Sequence, residues 1–173
     1  GNVDLHSSSE LQSYAFVDAD GREWRPDVKA ASAVELSEIR VSDTTVTWTG
    51  KLNLFSAART AEAPQKLQIT MRCAAEADVD GFALTTTFLG LPSGTKLIIQ
   101  PPAQAEIGKA TRNAPASWSS RQMGSAAKIA VDAVDQGDGK FLVEPSRDGD
   151  AEVWRVQKKY TSLIPADQFH LAH

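Results

Sequence analysis

Hydrophobic and polar residues along this chain alternate with a period of two. Leu67, Ile69, Met71 and Cys73 fall on one side of a strand, with Gln68, Thr70, Arg72 and Ala74 on the other. In the same way Val46, Trp48, Gly50, Leu52 and Leu54 oppose Thr47, Thr49, Lys51 and Asn53. Phe82, Leu84, Thr86 and Phe88 oppose Ala83, Thr85 and Thr87. Shorter stretches repeat the pattern, with Ile129 and Val131 against Lys128 and Asp132, and Val153 and Arg155 against Trp154 and Val156. Half-buried strands of this kind suit antiparallel sheets with one wet face. Threonine and valine crowd these segments, as pleated surfaces prefer.

Turn signals separate the runs. Asp20-Gly21, Asp80-Gly81, Asp138-Gly139 and Asp148-Gly149 are pairs that tight hairpins favour at positive φ, and Pro92-Ser93-Gly94 marks a further turn. The pattern predicts strands near 11–17, 22–25, 33–41, 46–56, 66–74, 82–89, 95–99, 127–133, 140–143 and 151–158. Residues 28–38 fit a short helix or, with Val34, Leu36, Ile39 and Val41, a bulged strand. The expected architecture is all-β, an antiparallel β-sandwich of about 8 to 10 strands. One stretch breaks the alternation. Residues 100–126, with prolines at 101, 102 and 115, read as a long irregular loop over an edge or end of the sheet. Were it a linker, residues 127–173 would form a separate piece too small to be comfortable alone, so 1–173 reads as one domain.

Composition narrows the class without naming a function. The chain has 173 residues, 42% hydrophobic and 23% charged, which suits a globular domain able to bury its own core. Its apolar runs, such as Leu97-Ile98-Ile99, are far short of a membrane span. Eighteen basic residues against 22 acidic ones give a net charge of −4, so no global field favours nucleic acid. Lys158-Lys159-Tyr160 is the one basic-aromatic cluster and reads as a short solvated end. Cys73 has no second cysteine for a bridge or a metal site and lies on an apolar strand face, as a small buried hydrophobe. Gly1, standing where a starting methionine would, reads as the remnant of a cleaved purification tag.

Most catalytic constellations lack their parts. There is no Gly-x-Ser-x-Gly elbow, and Ser119-Ser120 lacks the strand-then-helix context of a nucleophile. No phosphate-binding glycine loop appears. His6, His170 and His173 sit near the chain ends, and His170-x-x-His173 holds a metal only with ligands from elsewhere. Asp18-x-Asp20-Gly21 resembles the opening of a calcium loop, but the fifth position is Arg22 and the twelfth Lys29, so the match fails. Calcium held between acidic turns, including Asp135, Asp138, Asp148 and Asp150, remains the only cofactor to consider, and none is expected. A pair of carboxylates flanking a cleft is the remaining enzymatic option, and the sequence nominates no pair.

The aromatics say more. Trp48 alternates with threonines and belongs to the core, while Trp154 packs a second face or lies exposed. Trp24 stands among Arg22, Glu23 and Arg25, and Trp118 among Ser117, Ser119, Ser120 and Arg121. An aromatic in a polar setting offers a face to a sugar ring while neighbouring Ser and Arg serve its hydroxyls. Each of the two also fits as a plug in one end of a sandwich. The sequence therefore points to a non-catalytic binding or accessory module of an exported bacterial protein, extracellular or periplasmic, with carbohydrate as ligand. Trp118, Trp24 and Arg121 are its candidate binding residues. The alternatives are a structural or interaction domain of a cell-envelope protein, docking another protein domain, and a fragment of a glycan-active enzyme.

Overall fold

The computed structural model describes residues 11, 13–28, 34–56, 65–79, 81–101, 106–108, 117–122, 125–131 and 133–162, with the strands between 106 and 130 described by their backbone. Fourteen strands follow one another: β1 Tyr14–Val17, β2 Glu23–Pro26, β3 Val34–Val41, β4 Thr45–Ser56, β5 Gln65–Asp78, β6 Gly81–Leu89 and β7 Lys96–Ile99. Then come β8 Glu106–Gly108, β9 Ser117–Gln122, β10 Ser125–Val131, β11 Val134–Asp135, β12 Phe141–Val143, β13 Ser146–Asp148 and β14 Ala151–Ser162. They pair antiparallel in the order β11-β12-β7-β1-β2-β4-β5-β6-β14-β10-β9-β8, with β3 on β4 and β13 on β14 beside that path.

The all-β, antiparallel character is as the alternation predicts. Its form is one sheet curled into a half-barrel, and among the described residues two separate sheets are not seen. Strand β2 makes the path continuous. It pairs with β1 through Phe16–Trp24 and with β4 through Arg25–Phe55 and Pro26–Leu54. Register then carries the period-two pattern across neighbours: Gly50, Met71, Phe88 and Trp154 form one dry row, and Trp48, Cys73, Thr86 and Val156 the next. Both rows are buried.

The curl brings distant strands into contact over this dry side. Phe88 on β6 meets Phe16 and Tyr14 on β1 edge-on, at ring-centroid distances of 5.1 and 5.5 Å. Trp154, fully buried on β14, donates its indole N–H to the Thr95 carbonyl (2.8 Å) at the start of β7. A buried indole N–H must find an acceptor, and this one pins the Pro92-Ser93-Gly94 turn against β14. The ammonium of buried Lys158 lies 4.9 Å from the Tyr14 ring centre.

Two sequence expectations change here and one open choice is decided. The stretch 100–126 is not wholly irregular: it supplies β8, β9 and the start of β10, while 102–105, 109–116 and 123–124 lie outside the described residues. Its Ser- and Ala-rich segments carry little alternation, and pairing with β14 and with each other supplies the order that local pattern lacks. For residues 28–38 the bulged-strand reading holds over Val34–Val41, where the register slips between Leu36 and Glu38. Lys158-Lys159-Tyr160 is no solvated end but alternates like any strand. Lys158 is buried, Lys159 pairs with Asp78 (2.8 Å), and Tyr160 stacks on Phe82 at 4.6 Å.

Glycine matters most where β14 crosses the β5–β6 turn. A β-carbon on Gly81 would overlap the Tyr160 carbonyl oxygen, a backbone atom that cannot swing aside. Gly81→Ala is expected to cost about 1–3 kcal/mol by forcing β6 from β14. Phe88→Ala removes the ring that joins two parts of the sheet and is expected to cost about 3–5 kcal/mol. Val79→Ser, at an exposed turn, should stay within about 0.5 kcal/mol of the parent. Urea unfolding midpoints at unchanged slope check all three.

Candidate functional site

The residues nominated from sequence do not come together as a described site. Trp24 sits on β2, whose pattern runs exposed, buried, exposed, buried from Glu23 to Pro26. The charges beside it therefore point outward while the indole points in, leaving Trp24 7% exposed. Its ring offers no open face to a sugar. Its N–H donates to Asp18 Oδ2 (3.1 Å), and the Arg22 guanidinium lies 5.8 Å from the ring centre. Trp118 and Arg121 lie on β9, where Trp118 is in register with Ile107 on one side and Ile129 on the other, and Arg121 with Ala126. Their side chains are outside the described set, as are His6, His170 and His173.

Asp18 explains the calcium-like stretch. Its Oδ1 accepts the backbone N–H of Arg22 (2.9 Å) and of Asp20 (3.1 Å), its carbonyl accepts that of Gly21 (3.0 Å), and Gly21 adopts φ +77°. The carboxylate is thus occupied in closing a turn and tethering Trp24. Burial pushes the Asp18 carboxyl up. The hydrogen bonds from Trp24, Arg22 and Asp20, with the Arg22 charge, outweigh it and hold the group below its ordinary value. Asp138 caps its own turn by accepting the Lys140 N–H (3.2 Å). Among the described residues no three His, Cys, Asp or Glu side chains gather closely enough to hold a metal.

A different place has the form of a site. On the wet side of β3, β4 and β5 a groove of about 390 Å³ is lined by Glu38, Arg40, Thr47, Trp48, Thr49 and Arg72. Register assembles it: Glu38 lies opposite Thr49, Thr49 opposite Arg72, and Arg40 opposite Thr47. Trp48 belongs to the core at 6% exposure and contributes only a border. Glu38 and Arg40 form an ion pair along β3 (2.6 Å). Arg72 is exposed, and among the described residues it has no carboxylate partner. The row continues past the groove through Thr87 to Arg155, so two guanidinium-bearing positions flank a threonine across two strand spacings, roughly 10 Å. These are groups that bind hydroxyls and anionic oxygens rather than apolar surface. Alternation marks Thr47, Thr49 and Arg72 as wet, while Glu38 and Arg40 reach that side only through the bulge after Leu36. What alternation omits is which strands are neighbours, so the convergence of Glu38, Arg40 and Arg72 was not readable.

The remaining candidates are structural. Cys73 is buried with Sγ 3.8 Å from the Thr86 hydroxyl, on the apolar side as expected. Among the described residues no helix is long and apolar enough to cross a membrane. No protein-family model, curated protein or solved structure matches the chain.

The Asp18 tether generates a prediction with a sign. A carboxyl whose folded value is depressed adds stability that is fully present above its unfolded value and is lost as pH falls through the folded one. Asp18→Asn sets an amide N–H₂ or a weaker carbonyl against the Trp24 and backbone donors. It is expected to cost about 1–2 kcal/mol at pH 7. The penalty should shrink as the parent is acidified below pH ~4, as read from thermal unfolding across pH.

Proposed function

We propose that this chain is a non-catalytic binding module whose ligand is a carbohydrate bearing acidic groups, held in the groove across β3, β4 and β5. The observation that carries this reading is the Arg72 guanidinium, exposed in a groove of about 390 Å³ beside Arg40, Glu38, Thr47 and Thr49. A groove of that size falls within the usual range for small ligands. Paired hydroxyls of a sugar match the fork of an arginine and the two oxygens of a glutamate, and a uronate or sulfate group would meet Arg72 in a charge-assisted contact. The long β4–β5 ladder, running from Thr45–Glu76 to Ser56–Gln65, gives these side chains a rigid base.

On this reading the curled sheet serves as a sandwich-like scaffold, its β1-β7-β12 part facing β5-β6-β14 across the core. The module would be an accessory unit of an exported bacterial protein, acting outside the cell or in the periplasm. The support for that location is compositional: threonine-rich wet faces on an all-β frame.

The test is a thermal-shift panel of neutral and acidic oligosaccharides, followed by titration calorimetry. A ligand at about 100 times its dissociation constant adds about 2.7 kcal/mol. For a chain of this size that raises the melting temperature by roughly 5–10 °C. The expected result is a rise with acidic glycans that disappears in Arg72→Ala and survives in Arg147→Ala. No rise with any acidic glycan, or an equal rise in Arg72→Ala, overturns the reading.

A further inference from the structure

Strand β3 has only β4 beside it among the described residues, leaving its other edge unpaired. Leu36, Ile39 and Val41 on this strand are 54%, 59% and 74% exposed, three of the five large hydrophobic side chains described as exposed. An edge with both open backbone groups and apolar side chains is a template for a further strand. The sequence of β3 names that strand.

From Val34 to Val41 it reads Val-Glu-Leu-Ser-Glu-Ile-Arg-Val. Set antiparallel against a second copy about a two-fold axis between Ser37 and Glu38, it matches itself. Val34 faces Val41, Glu35 faces Arg40, and Leu36 faces Ile39, each pair occurring twice. The two charged pairs are opposite in sign and the apolar pairs meet each other.

The side chains also lie on the correct faces. Directly opposed residues of an antiparallel pair share a face of the sheet, and an axis perpendicular to the sheet keeps that face for both copies. In a regular strand, Leu36 and Ile39 would point to opposite faces. The bulge at Ser37 removes the conflict. Val34, Leu36, Ile39 and Val41 lie opposite Leu52, Gly50, Trp48 and Val46, every second residue of β4, so all four share the core-side face. Glu35, Glu38 and Arg40 lie opposite Lys51, Thr49 and Thr47 on the wet face. Bulges on edge strands usually discourage pairing; here the extra residue brings the self-match into phase.

We infer that β3 is a homodimerisation edge, joining two copies of this chain through antiparallel β3–β3 pairing into one sheet that runs from β5 of one to β5 of the other. The contact is isologous, so both edges are used up and association stops at two.

Sedimentation velocity and light scattering test this over about a hundredfold concentration range. The expected mass rises from the 18.6 kDa of one chain toward about twice that value. Glu35→Arg alone and Arg40→Glu alone each set like charges opposite each other twice, and each should weaken the dimer at least about tenfold. An equimolar mixture of the two single variants should form heterodimers, because each restores two opposite-charge pairs with the other. The double variant should dimerise like the parent. Ile39→Lys should be monomeric. A parent that stays at the mass of one chain throughout, single variants that associate as the parent does, or a mixture that stays monomeric would each overturn the assignment.

Discussion

Edge-on packing of Phe88 against Phe16 and Tyr14 is the contact on which the shape of this molecule depends. In the pairing path β1 and β6 are separated by β2, β4 and β5, so their rings meet only because the sheet rolls over its own dry face. A flat sheet would leave the row through Met71, Phe88 and Trp154 in water; burying such side chains is worth about 1.5–3 kcal/mol each. The indole of Trp154, tied to the Thr95 carbonyl, holds the same closure from β14. Directional aromatic and hydrogen-bond contacts thus set where a non-directional driving force closes the curl.

That closure divides the molecule into two chemistries. Each long strand gives alternate residues to the core, and the others collect on the outside as threonines, Arg72, Arg155 and Gln157. Threonine suits this face because its branched Cβ fits the pleat while its hydroxyl remains available to water or ligand. The groove that holds Glu38, Arg40 and Arg72 is a consequence of register: three consecutive strands bring Glu38 and Arg40 from β3, Thr47 and Thr49 from β4 and Arg72 from β5 to the same place.

How much of this was legible depends on the range of the interaction. Alternation in Leu67 to Cys73 and Phe82 to Phe88 is a local signal, and those strands and their dry faces are where it puts them. Each of the ten predicted strands has a counterpart. β8, β9, β11 and β13 do not announce themselves, because strands of two or three residues, or of serine and alanine, owe their form to neighbours. The site was less legible still. Trp24 read as either a sugar-binding face or a plug because charged residues surround it in sequence, yet in a strand adjacent residues face opposite ways, so charged neighbours are what an inward indole should have. Arg72 was already visible as the wet partner of Met71 and Cys73. That Arg40 and Glu38 would stand beside it depended on β3 pairing with β4, which no local pattern states.

The exposure of β3 follows from how β4 is shared. One edge of β4 pairs with β5 along its whole length, while the other takes β2 at Leu54 and Phe55 and β3 from Val46 to Leu52. The part of the sheet led by β2 therefore covers β3 only near its start. Val34, nearest β2, packs partly against the core, and exposure then grows through Leu36 and Ile39 to Val41 as the strand leaves the curl. An apolar flank that widens away from its own core invites open-ended association unless something consumes it. A two-fold partner closes the open backbone edge and sets the bare end of one β3, at Val41, beside the better covered end of the other, at Val34. The gradient that makes the strand a hazard in one copy is what makes two copies complementary.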